Sequence, residues 1–286
     1  MFRKTPAFGT FTTRAGAEVE TGFRVYDGKG VGLVATANAD AVRRMLAGTG
    51  YQPVLTPSGR AVVSLWIMAY RDTSAGAYHE LFVSIPVSRE GRTLAGDSAW
   101  DTTLGAADPT RPGEVFVPRL LLDAQTPIDY GREYMGLPKE PRPGSFTMEW
   151  TAEGLRFAAV DAANRPVVQG TLPIAATPAQ RLEAPWALMK RLGVWNGLKA
   201  IAASVTGATL RADTLSRNPL NGELVRNPGQ VSNDYEVIPS ADNVHMTYDP
   251  ASPFGKVLSD LDLTPSSVLS WRNPRMLFGA PLSEKP

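Results

Sequence analysis

The stretch AVVSLWIMAYRDTSAGAYHELFVSIPV, Ala61 to Val87, decides the fold. Its two runs, AVVSLWIMAY and YHELFVSIPV, are rich in β-branched and aromatic residues and flank a short link, Arg71 to Ala77, as antiparallel neighbours do. Both faces of the first run are mostly apolar, so that strand is expected to be buried on both sides. In the second run Tyr78, Glu80 and Phe82 share a face. An acid between aromatics on a buried strand needs a partner or a purpose.

Working outward, VGLVATANADAVRRMLAGTG (Val31 to Gly50) reads as a strand, then Asn38 as an N-cap. A short helix follows, with Val42, Met45 and Leu46 on one face, ending near Gly48. The glycines of GKGVG, Gly28 to Gly32, lack the spacing of a dinucleotide loop and read as a turn between strands. Ser88 to Glu114 is polar and rich in Gly, Ala, Asp and Pro, the composition of a long irregular excursion, mobile and near a cavity mouth. EVFVPRLLLD then resumes a strand. SFTMEWTAEGLRFAAVDAANRPVVQGTLPI (Ser145 to Ile174) alternates apolar and polar residues around turns at Glu153-Gly154 and Ala163-Asn164, as successive antiparallel strands do. APWALMKRLGVWNGLKAIAAS reads as one helix interrupted by Gly193 and Gly197. Ser216 to Asn243 is polar and proline-punctuated, and the C-terminal part adds a short helix and one or two strands. The inventory is α+β and mainly antiparallel β, without the alternation of strand and helix that builds a parallel sheet. One domain over residues 1–286 accommodates it.

Composition narrows the function. A net charge of +1 with 20% charged residues carries neither a nucleic-acid footprint nor a membrane-seeking basic surface, which leaves a small molecule as the expected partner. With no cysteine, thiolate chemistry and cysteine metal sites are excluded. The two histidines, His79 and His245, each stand alone in strand-like contexts without metal-ligand spacing, and no cofactor or metal is expected. The N-terminus has Arg3-Lys4 but no apolar region after it, and the longest apolar run is too short to span a bilayer. The expected compartment is the cytoplasm.

The remaining stretch, PIDYGREYMGLPKEPRPG (Pro127 to Gly144), ends a helix and then holds Lys139 between two prolines. Together with IMAYRDTSAGAYHELFVSIPV (Ile67 to Val87), the segment LDAQTPIDYGREYMGLPKE (Leu122 to Glu140) resembles the two signature regions of the acetoacetate decarboxylase superfamily. The first has the form IMA, two residues, DTS, then Y-x-E and an IPV strand end. The second has LD, a short helix, GRE and PK. The resemblance implies a closed, cone-like β-barrel with a few short helices, a homo-oligomer, and a lysine that forms a Schiff base with a small oxo acid or ketone.

Carried onto this sequence, the resemblance places Lys139 at the Schiff-base position and Glu80 at one active-site glutamate, with Trp66, Met68, Tyr78, Lys29 and Arg132 as candidate substrate contacts. Three positions depart from the family pattern. A second lysine after the nucleophile is Glu140 here, a second glutamate is Trp66, and a substrate-facing arginine falls on Gly28, beside Lys29.

These departures bear on the chemistry, because only the neutral amine attacks a carbonyl. An ordinary lysine pKa of about 10.4 leaves roughly one amine in a few thousand neutral at pH 7. Acetoacetate decarboxylase is itself the standard example of a lysine activated by desolvation or by a neighbouring cation, so the mechanism comes with the resemblance. With Glu140 in place of the cation, desolvation has to act alone. Adjacent residues of an extended segment point to opposite sides, and Pro141 biases Glu140 to extended backbone, so Glu140 is expected to face solvent and Lys139 the cavity. Trp66 in place of a carboxylate dries the neighbourhood and removes a negative charge, both of which lower a lysine pKa. The expected reaction is either decarboxylation or aldolase-dehydratase chemistry. The competing reading is a non-catalytic barrel that binds a small apolar or carbonyl ligand, with a structural ion pair between Glu80 and Arg132.

Overall fold

The structure is a computed structural model and describes residues 9–107, 113–140, 144–152, 154–206, 209–232 and 235–284. The extreme N-terminus, Pro141, Glu153 and residues 108–112 of the excursion lie outside them.

In chain order the strands begin with a small hairpin, β1 (Thr10–Thr12) and β2 (Glu18–Glu20). β3 (Arg24–Ala37), β4 (Gln52–Leu55), β5 (Ala61–Thr73), β6 (Tyr78–Ser88), β7 (Arg92–Thr93) and β8 (Gly113–Leu122) follow. β9 (Ser145–Trp150), β10 (Leu155–Val160) and β11 (Pro166–Leu172) join β16 (His245–Tyr248) in a separate four-stranded sheet. β12 (Thr209–Arg217), β13 (Leu224–Asn227), β14 (Gly229–Ser232), β15 (Tyr235–Ile238), β17 (Thr264–Trp271), β18 (Met276–Phe278) and β19 (Leu282–Ser283) complete the main sheet. The helices are α1 (Ala39–Met45), α2 (Ala99–Ala106), α3 (Gln125–Glu133), α4 (Pro178–Leu192), α5 (Val194–Thr206) and α6 (Pro253–Leu261).

The run 61–87 does form the antiparallel pair β5–β6, with Met68 opposite Glu80 and Trp66 opposite Phe82. β5 is buried on both sides from Ala61 to Met68. The pairing continues from β6 to β8, β12, β14, β18 and β3, and β3 pairs again with β5, so it runs round a ring. The β8–β12 contact is parallel and the other contacts of the ring are antiparallel. On one face of this sheet Leu33, Leu65, Leu81, Val83 and Leu121 pack against Phe157 and Val168 of the four-stranded sheet and against Val42, Phe254 and Leu258 of α1 and α6. On the other face Trp66, Met68, Tyr70, Tyr78, Leu120 and Leu122 meet Ile128 and Tyr130 of α3. The chemistry belongs to this second face.

GKGVG is not a turn. It lies inside the 14-residue β3, where Gly28, Gly30 and Gly32 stand opposite Tyr70, Met68 and Trp66. A Cβ at Gly30 would come 2.3 Å from Met68 Sδ, and one at Gly32 would come 2.7 Å from the Trp66 ring. Alternate glycines therefore leave room for two large side chains to lie across the neighbouring strand, a packing reason for glycine in a strand interior.

The excursion after Ser88 is more ordered than its composition suggests. Ser98 and Asp101 form a reciprocal capping box that starts α2, whose Trp100, Thr102 and Leu104 are buried. Thr103 Oγ1 and Ser267 Oγ, 2.5 Å apart, anchor the helix to β17. The expected single helix at 184–204 is two, because Gly193 adopts φ +79° between α4 and α5. α1 starts as expected, with Asn38 Oδ1 accepting from the Asp40 and Ala41 N–H groups. No helix among the described residues is long and apolar enough to cross a membrane.

The glycine row can be tested by adding bulk. Gly32→Val should cost about 1–3 kcal/mol through overpacking against Trp66. Lys29→Ala, on the exposed face of the same strand, should change stability by less than about 0.5 kcal/mol. Urea denaturation measures both, and a neutral Gly32→Val contradicts the packing account.

Candidate active site

Lys139 is fixed by main-chain hydrogen bonds rather than by proline alone. The Leu120 N–H donates to the Pro138 carbonyl (3.2 Å) and the Glu140 N–H to the Leu120 carbonyl (2.8 Å), so the segment lies beside β8 as a short parallel addition. The Leu137 N–H donates to Gly131 O (2.8 Å), tying the segment to α3. Asn227 Nδ2 and Ser216 Oγ donate to the Met135 and Gly136 carbonyls, at 3.0 Å each. Gly136, at φ +64°, makes the reversal that a side chain would strain.

The lysine stem then crosses α3 at Gly131. A Cβ there would come 2.3 Å from Lys139 Cε and 2.9 Å from Nζ. Nζ reaches a cavity of about 70 Å³ lined by Tyr70, Tyr78, Glu80, Phe82, Leu120 and Phe278 among others. Lys139 is 7% exposed and Glu80 5%. Nζ stands 3.5 Å from Glu80 Oε1, an ion-pair separation longer than a hydrogen bond, and 5.6 Å from the centre of the Tyr78 ring.

The electrostatics follow from this burial. Desolvation pushes the Lys139 pKa below its ordinary value while Glu80 pulls it back up. Desolvation likewise raises the Glu80 carboxyl, against the pull of Lys139 and, less strongly, of the neighbouring Tyr70 hydroxyl. Burial, with the Glu80 charge next in order, drives both Tyr70 and Tyr78 well above the ordinary phenol value. Burial thus works against the charged form of each partner while their mutual attraction works for it, and every step toward neutrality leaves an amine lone pair beside a carboxyl group that can give or take a proton.

The other expected contacts divide. Tyr78 lines the cavity, and Met68 is fully buried on the same face, directly opposite Glu80. Trp66 shares that face one pair further on and lines an adjoining chamber, its Nε1 donating to Ser84 Oγ at 3.2 Å. Lys29 is not brought to the lysine. It pairs with Ala69 on the opposite face of β3, exposed, with Nζ 5.3 Å from the Trp150 ring. Arg132 is half-buried on α3 and does not line the cavity, and the partner of Glu80 is Lys139 rather than Arg132.

Glu140 is a correction. It does turn away from Lys139, as alternation requires, but toward the buried side of Arg119 rather than to water. It is 8% exposed, its carboxylate lies 3.3 Å from Arg119 Nε, and burial raises its pKa against the pull of that guanidinium. The next layer of the fold covers what a local reading leaves open to solvent.

Several residues around the lysine escaped the sequence reading. Gly131, the glycine of GRE, supplies space rather than a group. Tyr70 shares its strand face with Met68, so the same alternation that selected Met68 could have found it. Thr214, Met276 and Phe278 reach the cavity from distant strands and Phe23 from the residue just before β3, and no local signal marks them.

A largely antiparallel α+β protein with a buried lysine facing a buried glutamate across an aromatic cavity is the class that fold and site define. The family model for acetoacetate decarboxylase matches residues 10–237. The chain belongs to the acetoacetate decarboxylase family. Among solved structures, the acetoacetate decarboxylase of Legionella pneumophila subsp. pneumophila str. Philadelphia 1 is similar at TM-score 0.56 and 12% identity, covering 96% of this chain and 92% of that one. An acetoacetate decarboxylase-like enzyme from Sphingomonas wittichii RW1 is similar at TM-score 0.54 and 11% identity, covering 93% and 95%. The enduracididine biosynthesis enzyme MppR complexed with pyruvate is similar at TM-score 0.51 and 13% identity, covering 98% of each chain. At such identities these structures share the fold. No curated protein matches the chain significantly.

The Gly131 contact gives a coupling experiment. Gly131→Ala should cost about 1–3 kcal/mol in the wild-type background, where the methyl meets the lysine stem. In Lys139→Ala protein the space is free and the same change should cost little or stabilise, since alanine is the better helix residue. A double-mutant cycle by chemical denaturation reads the non-additivity. Additive effects contradict the packing of lysine on glycine.

Proposed function

We propose that this protein is a lyase of the acetoacetate decarboxylase type in which Lys139 forms a Schiff base with an oxo acid or ketone. The observation that carries the reading is the buried amine 3.5 Å from a buried carboxyl. Nζ adds to the substrate carbonyl, and loss of water gives a protonated imine. That cation accepts the electron pair of the bond that breaks. In decarboxylation this is the bond to the carboxylate carbon, CO₂ leaves, and the resulting enamine takes a proton at carbon. Water then hydrolyses the imine and frees the lysine. Glu80 moves the protons in these steps, with Tyr70, Tyr78 and Met68 shaping the walls.

One observation bears on the choice of reaction. Among the described residues lining the lysine cavity, Lys139 is the one cationic side chain. A substrate carboxylate there has no fixed counter-charge, which favours its expulsion as CO₂ or a substrate without one. The same enamine can instead attack an aldehyde, and aldolase-dehydratase chemistry is the second reading. The non-catalytic ligand-binding barrel is the alternative of a different class. The ring of strand pairings supports the cone-like barrel that the family resemblance implies. A single domain over 1–286, a homo-oligomer and a cytoplasmic location belong to the same proposal.

Borohydride reduction in the presence of acetoacetate or pyruvate should leave one adduct, located on Lys139 by peptide mapping and absent from Lys139→Ala. Random labelling of surface lysines, equal in both proteins, favours the binding barrel. Glu80→Gln keeps the shape but cannot exchange a proton, so the adduct should persist while turnover falls by roughly 10²- to 10⁴-fold. A silent Glu80→Gln removes Glu80 from the chemistry.

A further inference from the structure

The lysine cavity is small, about 70 Å³, and a larger space lies directly beside it. Phe82, Thr214, Met276 and Phe278 line it and also line a chamber of about 570 Å³. That larger volume falls within the range of sites that take ligands with a substantial body, whereas the lysine cavity alone lies below it. Phe82 is the hinge between the two. It sits on the inward face of β6, two residues from Glu80, yet remains partly exposed because it borders open space.

The chamber has a direction. Its floor follows β6 from Phe82 through Ser84 to Pro86, a run of roughly 13 Å at the usual strand rise that leads away from Glu80. Its middle is aromatic. Trp66 lies 6.3 Å from Phe82 and 5.8 Å from both Tyr235 and Trp271, centre to centre. Both indole N–H groups are spent inside the protein, Trp66 on Ser84 Oγ (3.2 Å) and Trp271 on Ser232 Oγ (3.1 Å), so the rings offer apolar faces. The charged lining residues come at the far end. Arg89 and Arg92 follow the end of β6, and Glu114 is the second residue of β8, whose Leu122 is the residue opposite Glu80. A polar rim, an aromatic middle and a reactive amine are thus arranged in series.

We propose that the carbonyl compound handled at Lys139 carries a large apolar substituent, aromatic or of similar bulk, which occupies this chamber while its carbonyl carbon reaches the lysine. The assignment rests on the imine reading of Lys139 and narrows it. Trp66 then acts as a specificity wall for the remote part of the substrate, and the reacting carbon is presented to Glu80 by the fit of that remote part.

Two methyl ketones, acetone and 4-phenyl-2-butanone, share the reacting group and differ in the body. Intact-mass measurement after borohydride reduction gives the concentration of each that half-saturates Lys139. The phenyl ketone should do so at a concentration lower by about 50-fold or more, given the apolar area it buries. Ala212→Phe, which grows a ring into the chamber from half-buried Ala212 on β12, should shrink that ratio at least about tenfold. Calorimetry with 4-phenyl-2-butanol, which has no carbonyl, reads the chamber without the imine and should show binding that Ala212→Phe weakens. Equal half-saturation by the two ketones, or a ratio untouched by Ala212→Phe, overturns the substrate class while leaving Lys139 as the imine former. Failure of both ketones to label Lys139, with the alcohol still bound, overturns the imine reading and the substrate proposal together.

Discussion

Moving a lysine ammonium out of water into an apolar interior costs several kcal/mol even after relaxation, and Lys139 meets that cost with Glu80 as its charged neighbour in the cavity. The pair can lower the cost by giving up its charges, the amine losing a proton and the carboxyl keeping one. A neutral amine is what carbonyl addition needs. The same burial that makes the side chain awkward to fold makes it chemically useful.

Much of the surrounding architecture serves to keep that amine in place and dry. Backbone hydrogen bonds to β8 and α3, with side-chain donors from β12 and β13, hold the segment, so the lysine cannot relieve its burial by swinging out. Gly131 lets the stem cross the helix, and the row Gly28, Gly30, Gly32 lets Met68 and Trp66 lie across β3. At Gly131, Gly30 and Gly32 a large side chain stands where an ordinary Cβ would, whereas Gly28 faces the Ala69 carbonyl. The second sheet with α1 and α6 covers the outer face, which makes β5 apolar on both sides.

The two stretches that carry Lys139 and Glu80 were legible because the family resemblance that singled them out is local. Alternation put Glu80 between Tyr78 and Phe82, and the flanking prolines marked the lysine segment. Signals that depend on pairing between distant strands were not. GKGVG looked like a turn because its reason for glycine lies on β5, some forty residues away. Lys29 was chosen for being next to Gly28, yet adjacency in a strand places it on the other face. Glu140 was given the right direction and the wrong surroundings, since Arg119 reaches it from β8. The excursion after Ser88 was read from composition, although Ser98 and Asp101 carried a helix start in the sequence. Thr214, Met276 and Phe278, which join the lysine cavity to the larger chamber, come from strands with nothing local to distinguish them.

The titration of the Lys139 amine tests this account most directly. With ¹⁵N-labelled lysine, NMR can follow each Nζ through its loss of charge and assign Lys139 by its absence from Lys139→Ala. Burial places its midpoint below the ordinary lysine value of about 10.4. A midpoint equal to or above that value would mean that Glu80 outweighs desolvation, that the lysine stays an ammonium, and that the site is a structural ion pair rather than a nucleophile.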